Sequence, residues 1–197
     1  MAGHFAVVAE DGGTRARAGE LTTRHGIVHT PAFMPVGTAA SVKGLAPWEL
    51  GALGPEMVLC NTYHLLLRPG VETLERLGGL HAFMGWDGPI LSDSGGFQVF
   101  SLAARRQLDE DGVTFRSHLD GSELRLTPES CIETQRRLGV DVAMALDVCL
   151  ALPAPRAELE AVVGLTSRWA ARCRAALVHG AGTVSYTHLT LTTIYTV

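Results

Sequence analysis

The chain has 197 residues, of which 47% are hydrophobic and 18% are charged, a composition typical of a globular protein. The formal net charge of −4 excludes a uniformly basic surface, so contact with RNA would require a local basic patch. The four cysteines lie singly, without the paired spacing of a zinc site or the density of a disulfide framework. With no membrane-length apolar segment and no signal-peptide pattern, we expect a cytoplasmic protein without a membrane partner.

Predicted strands and helices alternate along the chain. We predict strands at residues 4–8, 21–29, 57–60, 89–92 and 142–146, and helices beginning near residue 46 and spanning 70–77, 127–138 and 155–177. The two prolines in residues 30–37 allow at most an interrupted strand. The polar section 105–122 predicts a hairpin around residues 113–119, with Asp120 and Gly121 as its turn. The alternation indicates parallel βαβ units, and both an open doubly wound sheet and part of a (β/α)8 barrel satisfy it.

The run SDSGGFQVF at residues 92–100 is the most informative stretch. It places Asp93 at the end of a predicted apolar strand, where ligands bind in α/β folds. Gly95 and Gly96 allow a sharp turn and a close approach to a ligand, and Phe97 offers a flat face for stacking. The alternative is a purely structural turn, in which Asp93 caps the next segment and Phe97 fills the core.

A second aspartate, Asp147, follows the predicted strand at residues 142–146. The ends of parallel strands meet at one sheet edge, so both carboxylates are expected there, with Asn61 and His64 available to line the same opening. One carboxylate can move a proton while the other accepts hydrogen bonds from a substrate ring. A glycosidase-like hydrolase is a further interpretation, as is simple helix capping. The histidines lack ligand-like spacing, and we predict no metal in this segment.

The last fourteen residues, VSYTHLTLTTIYTV, differ from the rest of the chain because they lack charge and are rich in threonine. Taken at face value they form a β-prone strand or an exposed edge. Their first six residues resemble the translation of a transposase adapter used in sequencing libraries. We therefore interpret residues 184–197 as a non-native tail and residues 1–183 as the protein proper.

Six blocks occur in an order that resembles a known family: TPAFMPVGT at 30–38, NTYHL at 61–65, GGLH at 78–81, FMGW at 83–86, DSGGFQ at 93–98 and SHLDGS at 117–122. Together they closely resemble the bacterial tRNA-guanine transglycosylases, or queuine tRNA-ribosyltransferases. The resemblance covers about residues 4–180. It implies an α/β fold: the N-terminal portion of a modified (β/α)8 TIM barrel, preceded by a small antiparallel sheet.

The resemblance also implies a function. Such enzymes are pentosyltransferases of tRNA processing and queuosine biosynthesis, which exchange the wobble guanine of certain tRNAs for a 7-deazaguanine through a covalent ribosyl-enzyme intermediate. Asp93 would be the proton acceptor for the incoming base and Asp147 a hydrogen-bond acceptor for it. The adjoining base pocket would be formed by Ser94, Gly95, Gly96 and Phe97.

This chain departs from the family pattern in several respects. The family's nucleophilic aspartate, its three-cysteine, one-histidine zinc site and its basic tRNA-contacting region belong to the second half, so no cofactor is expected here. Val148 stands where the family usually has glutamate. We therefore expect a truncated, inactive half of a homodimeric enzyme, in which residues 38–43 take part in the dimer. The alternative is a non-catalytic RNA-binding accessory subunit of the same family.

Overall fold

The computed structural model of the chain describes residues 4–102, 106–178 and 184–186. In chain order the elements are β1 (His4–Glu10), β2 (Arg17–Thr23), β3 (Gly26–Thr30), α1 (Pro47–Leu53), β4 (Val58–Cys60), α2 (Thr62–Leu67), α3 (Val71–Arg76), α4 (Gly79–Met84), β5 (Ile90–Ser92), α5 (Gly96–Leu102), β6 (Arg106–Leu108), β7 (Val113–Arg116), β8 (Glu123–Leu126), α6 (Pro128–Leu138), β9 (Val142–Met144), α7 (Arg156–Val178) and β10 (Val184–Tyr186). This is a mixed α/β arrangement, as predicted.

The central sheet is parallel, and its strands run in the order β10-β9-β5-β4. On the side of β4 that faces away from β5, Val36 extends the sheet by forming a parallel bridge with Leu59. Neighbouring strands therefore follow chain order across the sheet, without a reversal within the described residues. Consequently the segments that follow β4, β5 and β9 all begin at the same edge, which we call the carboxyl edge.

Two antiparallel sheets flank this layer. The N-terminal sheet has the order β1-β2-β3, and the second comprises β6-β7-β8. The second confirms the hairpin predicted around residues 113–119, which continues through a turn at Gly121, with a φ of 74°, into β8. The expected strand at residues 21–29 is wrong as a single element, because a turn at Arg24 and His25 divides it into β2 and β3.

The longer helices pack over the parallel sheet and enclose the main core. The first turn of α6 is fixed by the Thr127 side chain, which accepts a hydrogen bond from the Ser130 N–H at 3.1 Å, and α6 ends at Gly139 in the left-handed conformation. The inward-facing residues of α6 pack against α7, and Trp169 of α7 is 1% exposed. Apolar burial of this kind is the main stabilising contribution to such a layer. No helix in the described ranges is long and apolar enough to cross a membrane.

Candidate functional site

Asp93 lies at the carboxyl edge, immediately after β5. Its main-chain N–H donates to the Cys60 carbonyl at 3.0 Å, so the sheet fixes the residue's backbone. Its side chain accepts four hydrogen bonds: from the Thr62 N–H at 2.9 Å, the Gly95 N–H at 3.1 Å, Gln98 Nε2 at 3.0 Å and Asn61 Nδ2 at 2.5 Å. All four donors are neutral amides, so within the described residues the carboxylate is held in position by uncharged groups.

The charge state of Asp93 depends on two opposing effects. Burial raises the pKa of its carboxyl, whereas the hydrogen bonds from Asn61, Thr62, Gln98 and Gly95 lower it; the net pKa is above the ordinary value. A carboxylate with a raised pKa is a stronger base than an exposed one, so Asp93 is suited to accept a proton from a bound ligand.

Gly95 and Gly96 allow the backbone to turn between β5 and α5. Gly95 has a φ of 80°, and a Cβ added there would lie 3.2 Å from the Tyr63 nitrogen. A Cβ at Gly96 would lie 2.6 Å from the Asp147 carbonyl oxygen and 2.8 Å from Asp147 Oδ1. Both positions therefore require glycine, Gly95 for its conformation and Gly96 for the close approach of Asp147.

Asp147 lies beside this turn, three residues beyond the end of β9. Its Oδ1 accepts a hydrogen bond from Ser94 Oγ at 2.8 Å, and Ser94 Oγ in turn accepts from the Gly96 N–H at 3.1 Å. Two carboxylates from neighbouring strands are thus connected through adjacent residues of one loop. The expectation that Asp93, Ser94, Gly95, Gly96 and Asp147 lie together at one edge agrees with this geometry; their role in binding stays a prediction.

The surroundings of Asp147 are partly apolar. Val148 packs against the core cluster, and its N–H donates to Thr166 Oγ1 at 3.2 Å. Cys149 Sγ lies 3.7 Å from Asp147 Oδ2. Burial, together with the Asp147 charge, raises the pKa of the Cys149 thiol to about 12, so that it is a neutral donor and not a thiolate at neutral pH.

An aromatic group borders the site. Phe97, in the first turn of α5, is partly exposed, and its ring centroid lies 6.5 Å from that of Phe100. The Tyr63 hydroxyl hydrogen-bonds His118 Nδ1 at 2.8 Å, and His64 packs edge-on to Tyr63. Burial is the main cause that lowers the pKa of His64. Phe97 is therefore accessible to a ligand ring, and its stacking role stays a prediction.

Two residues of the site were not identified from the sequence. Thr62 binds Asp93 through its main-chain N–H, which any residue type supplies, so no side-chain pattern indicates it. Gln98 lies inside the DSGGFQ block, five residues after the Asp93 carboxylate that it bonds, and this spacing corresponds to no standard local motif. Its Oε1 is buried and has no hydrogen-bond partner among residues 4–102, 106–178 and 184–186, so the site contains an acceptor that a ligand N–H can satisfy.

The cysteines do not form a metal centre in the described part of the chain. Cys60, Cys131 and Cys173 are buried separately in the core, and the one cluster of three ligand-type side chains found among the described residues contains no cysteine. These residues therefore do not fit a three-cysteine, one-histidine zinc site.

The fold and the site define an α/β protein whose parallel sheet carries two linked carboxylates at its carboxyl edge. A family model described as "Queuine tRNA-ribosyltransferase" (TGT) matches residues 11–191. The chain belongs to this family, and the predicted membership is confirmed.

Curated relatives with the same name are similar over most of this chain. Those of Desulforudis audaxviator (strain MP104C), Gluconacetobacter diazotrophicus and Brucella suis biovar 1 are 55%, 56% and 55% identical over 172 residues, which is 87% of this chain in each case. The same alignments cover 46%, 44% and 45% of the relatives. The chain therefore spans about half the length of the curated relatives it matches.

Proposed function

We propose that the whole protein is a tRNA-guanine transglycosylase, which exchanges the wobble guanine of its target tRNAs for a 7-deazaguanine, and that this chain supplies the base-binding half. The observation that carries the proposal is the environment of Asp93. This carboxylate is held by four neutral donors and lies in the same loop as the Ser94–Asp147 hydrogen bond. Family membership adds support, since the relatives' name describes ribosyl transfer on tRNA.

The acceptors at this edge are complementary to a guanine-type base. Such a base presents a ring N–H next to an exocyclic amino group, and both are donors. Asp93, Asp147 and the unpartnered Oε1 of Gln98 are acceptors. Phe97 provides the flat apolar surface on which the ring stacks. The site thus offers hydrogen-bond acceptors around the rim of a planar ligand and an aromatic face beside it.

The reaction needs an attacking group in addition to these residues. In the proposed sequence a carboxylate from the other half of the protein attacks ribose C1′ and the glycosidic bond to guanine breaks; guanine leaves and takes up a proton from the Asp93 carboxyl group. The incoming 7-deazaguanine then loses its N9 proton to Asp93 and attacks C1′, and the carboxylate leaves. The raised pKa of Asp93 suits this proton transfer.

The proposal includes a complete architecture. Strands β4, β5 and β9 lie side by side in chain order and in parallel, which is the order along one arc of a (β/α)8 barrel wall. We propose that the other half of the protein completes this barrel and contributes the zinc site. By family resemblance we further propose a cytoplasmic homodimer, with residues 38–43 in its interface.

The intact protein tests the role of Asp93. Its gene is recovered by reading the genomic DNA beyond the codon for Thr183, and incorporation of labelled guanine into tRNA is measured. We expect Asp93→Asn to lower the exchange rate by about 10²–10⁴-fold, the usual contribution of a general base, because an amide does not accept the N9 proton.

Asp87→Asn is the matched control. Asp87 is an exposed aspartate that precedes β5, at the opposite edge of the sheet, so this variant should exchange guanine at the parental rate. Parental activity in Asp93→Asn would remove Asp93 from the mechanism. Guanine exchange by the 197-residue chain alone would contradict the assignment of the nucleophile to the other half.

A further inference from the structure

The edge of the parallel sheet opposite the Asp93 site holds a second cluster of ligand-type side chains. His25 comes from the turn between β2 and β3, His81 from α4, and Asp141 immediately precedes β9. One potential ligand atom from each lies within 4.8 Å of the others. Residues far apart in the sequence are thus brought together where the N-terminal sheet meets the main layer.

The geometry of this cluster is centred on Asp141. Its Oδ1 lies 2.7 Å from His25 Nδ1, and its Oδ2 lies 3.3 Å from His81 Nε2. The two imidazole rings stack, with centroids 3.8 Å apart and planes inclined by 25°. Two histidine nitrogens therefore lie on the same side of one carboxylate, one near each of its oxygens.

The Asp141 carboxylate is buried, and in the part of the chain that the structure describes no permanent positive charge is paired with it. Its side chain is 0% exposed, and its only main-chain donor in the described residues is the Ile90 N–H, 3.0 Å from Oδ2. Arg24 is close, but its guanidinium donates to the carbonyls of Gly139 and Val140, at 3.4 Å each. Because a buried carboxylate is costly without a counter-charge, the cluster favours a cation.

His81 supplies an independent sign of a ligand. Its Nε2 is buried and has no hydrogen-bond partner in the described part of the chain, because the contact with Asp141 lies outside hydrogen-bonding geometry. Buried polar atoms are almost always satisfied, so an unpartnered one requires a reason. A metal ion shared with the carboxylate would satisfy this nitrogen.

We propose that His25 Nδ1, His81 Nε2 and the Asp141 carboxylate bind one divalent ion of the zinc class. Two histidines and a carboxylate form a set that Zn²⁺ uses in proteins, with a water in the fourth position. Donor atoms about 2.1 Å from a tetrahedral ion are about 3.4 Å apart. The His81–Asp141 separation already matches this value, and His25, whose side chain is 33% exposed, has room to move outward.

The proposed ion would connect the N-terminal sheet to α4 and β9. It would be structural, since the Asp93 site lies at the other edge of the sheet. The Ile90 N–H would orient the carboxylate as an outer-shell donor. Sequence spacing predicts no metal here, because the three ligands are separated by 56 and 60 residues.

Zinc binding to the 197-residue chain tests the proposal. Chain stripped with a chelator is titrated with ZnCl₂ against a chromogenic competitor, and we expect one ion per chain. His25→Gln and His81→Gln should each weaken this binding by more than about tenfold, since each removes one of three ligands. With CoCl₂ the near-ultraviolet spectrum should lack a thiolate-to-cobalt charge-transfer band.

Two control variants separate this site from other zinc-binding groups. His29→Gln changes an exposed histidine of the adjoining strand that pairs with Glu56, and Cys149→Ser removes the most accessible thiol among the described residues; both should bind zinc with parental affinity. Absence of stoichiometric binding would overturn the proposal. Parental affinity in His25→Gln and His81→Gln, or loss of binding in Cys149→Ser, would do the same.

Discussion

Each edge of the parallel sheet places one aspartate in a largely enclosed position, but the pKa values of the two carboxyl groups shift in opposite directions. At the carboxyl edge the four described hydrogen bonds to the Asp93 side chain all come from neutral amides, and burial raises the pKa of its carboxyl. At the other edge Asp141 faces two stacked imidazoles, with His25 Nδ1 2.7 Å from its Oδ1 and His81 Nε2 3.3 Å from its Oδ2. Burial acts to raise the pKa of Asp141 too, but contacts with His81, the Ile90 N–H and His25 lower it below the ordinary value.

This difference shows how a fold can assign separate roles to identical side chains. Amide donors orient Asp93 but leave no fixed cation to hold its charge, so the group can take up a proton. Imidazoles beside Asp141 favour the ionised form, which suits a structural or ligating carboxylate. The strand end alone therefore does not define the chemistry; the groups that face the carboxylate do.

Replacing each aspartate by asparagine should produce the largest contrast. In the 197-residue chain with chelator at neutral pH, we expect Asp141→Asn to lower the free energy of unfolding by about 2 kcal/mol, because it removes hydrogen bonds to an ionised group. Asp93→Asn should change it by less than about 1 kcal/mol. The unpartnered Oε1 of Gln98 can accept from the new amide after a side-chain flip. Urea unfolding measures both values.

Asp87→Asn is again the control, and this exposed position should leave the urea midpoint unchanged. Equal destabilisation by the Asp93 and Asp141 substitutions would show that the two edges do not differ as described. A loss of more than 2 kcal/mol in Asp93→Asn would mean that its four hydrogen bonds stabilise the fold and not only the site.

Much of this fold follows from local sequence signals. The sequence contains both the Thr127-Pro128 start signal and the Gly139 stop signal of α6. In the structure the helix begins at Pro128 and ends at Leu138, within one residue of each signal. Among the short helices, α3 was predicted, because Gly78 and Gly79 mark its end, whereas α2, α4 and α5, with six or seven residues each, were not. The parallel order of β4, β5 and β9 is a long-range property that residue periodicity does not contain.

The two sites were accessible from sequence to different degrees. The aspartates at the ends of β5 and β9 identified the carboxyl edge, because strand ends of parallel sheets converge by geometry. The hydrogen bonds from Thr62 and Gln98 depend on how α2 and α5 pack, which no motif specifies. The His25–His81–Asp141 cluster had no local signal, since each residue comes from a different element.

Adding a single methyl group at Gly96 should disrupt the carboxyl edge selectively. We expect Gly96→Ala to destabilise the chain by about 2 kcal/mol. The added Cβ would lie 2.6 Å from the Asp147 carbonyl oxygen, which is closer than van der Waals contact allows. Gly51→Ala is the matched control: Gly51 lies in α1 with no atom within 4 Å of an added Cβ, so alanine should stabilise by about 0.5–1 kcal/mol. A destabilised Gly51→Ala together with a tolerated Gly96→Ala in thermal unfolding would contradict this account of the loop.

The smallest expected effect is the dependence of stability on pH that Asp93 introduces. Its pKa is raised above 3.8 in the folded chain, so between that value and the folded pKa the folded state binds more protons than the unfolded state. The linkage relation then makes Asp93's contribution to the free energy of unfolding decrease as pH rises through this window. Urea unfolding gives the free energy of unfolding of the parental chain minus that of Asp93→Asn. We expect this difference to decrease as pH rises through the window and to become constant at neutral pH. A difference that grows in favour of the parental chain with rising pH would mean that the amide donors outweigh burial, and that Asp93 resembles Asp141 after all.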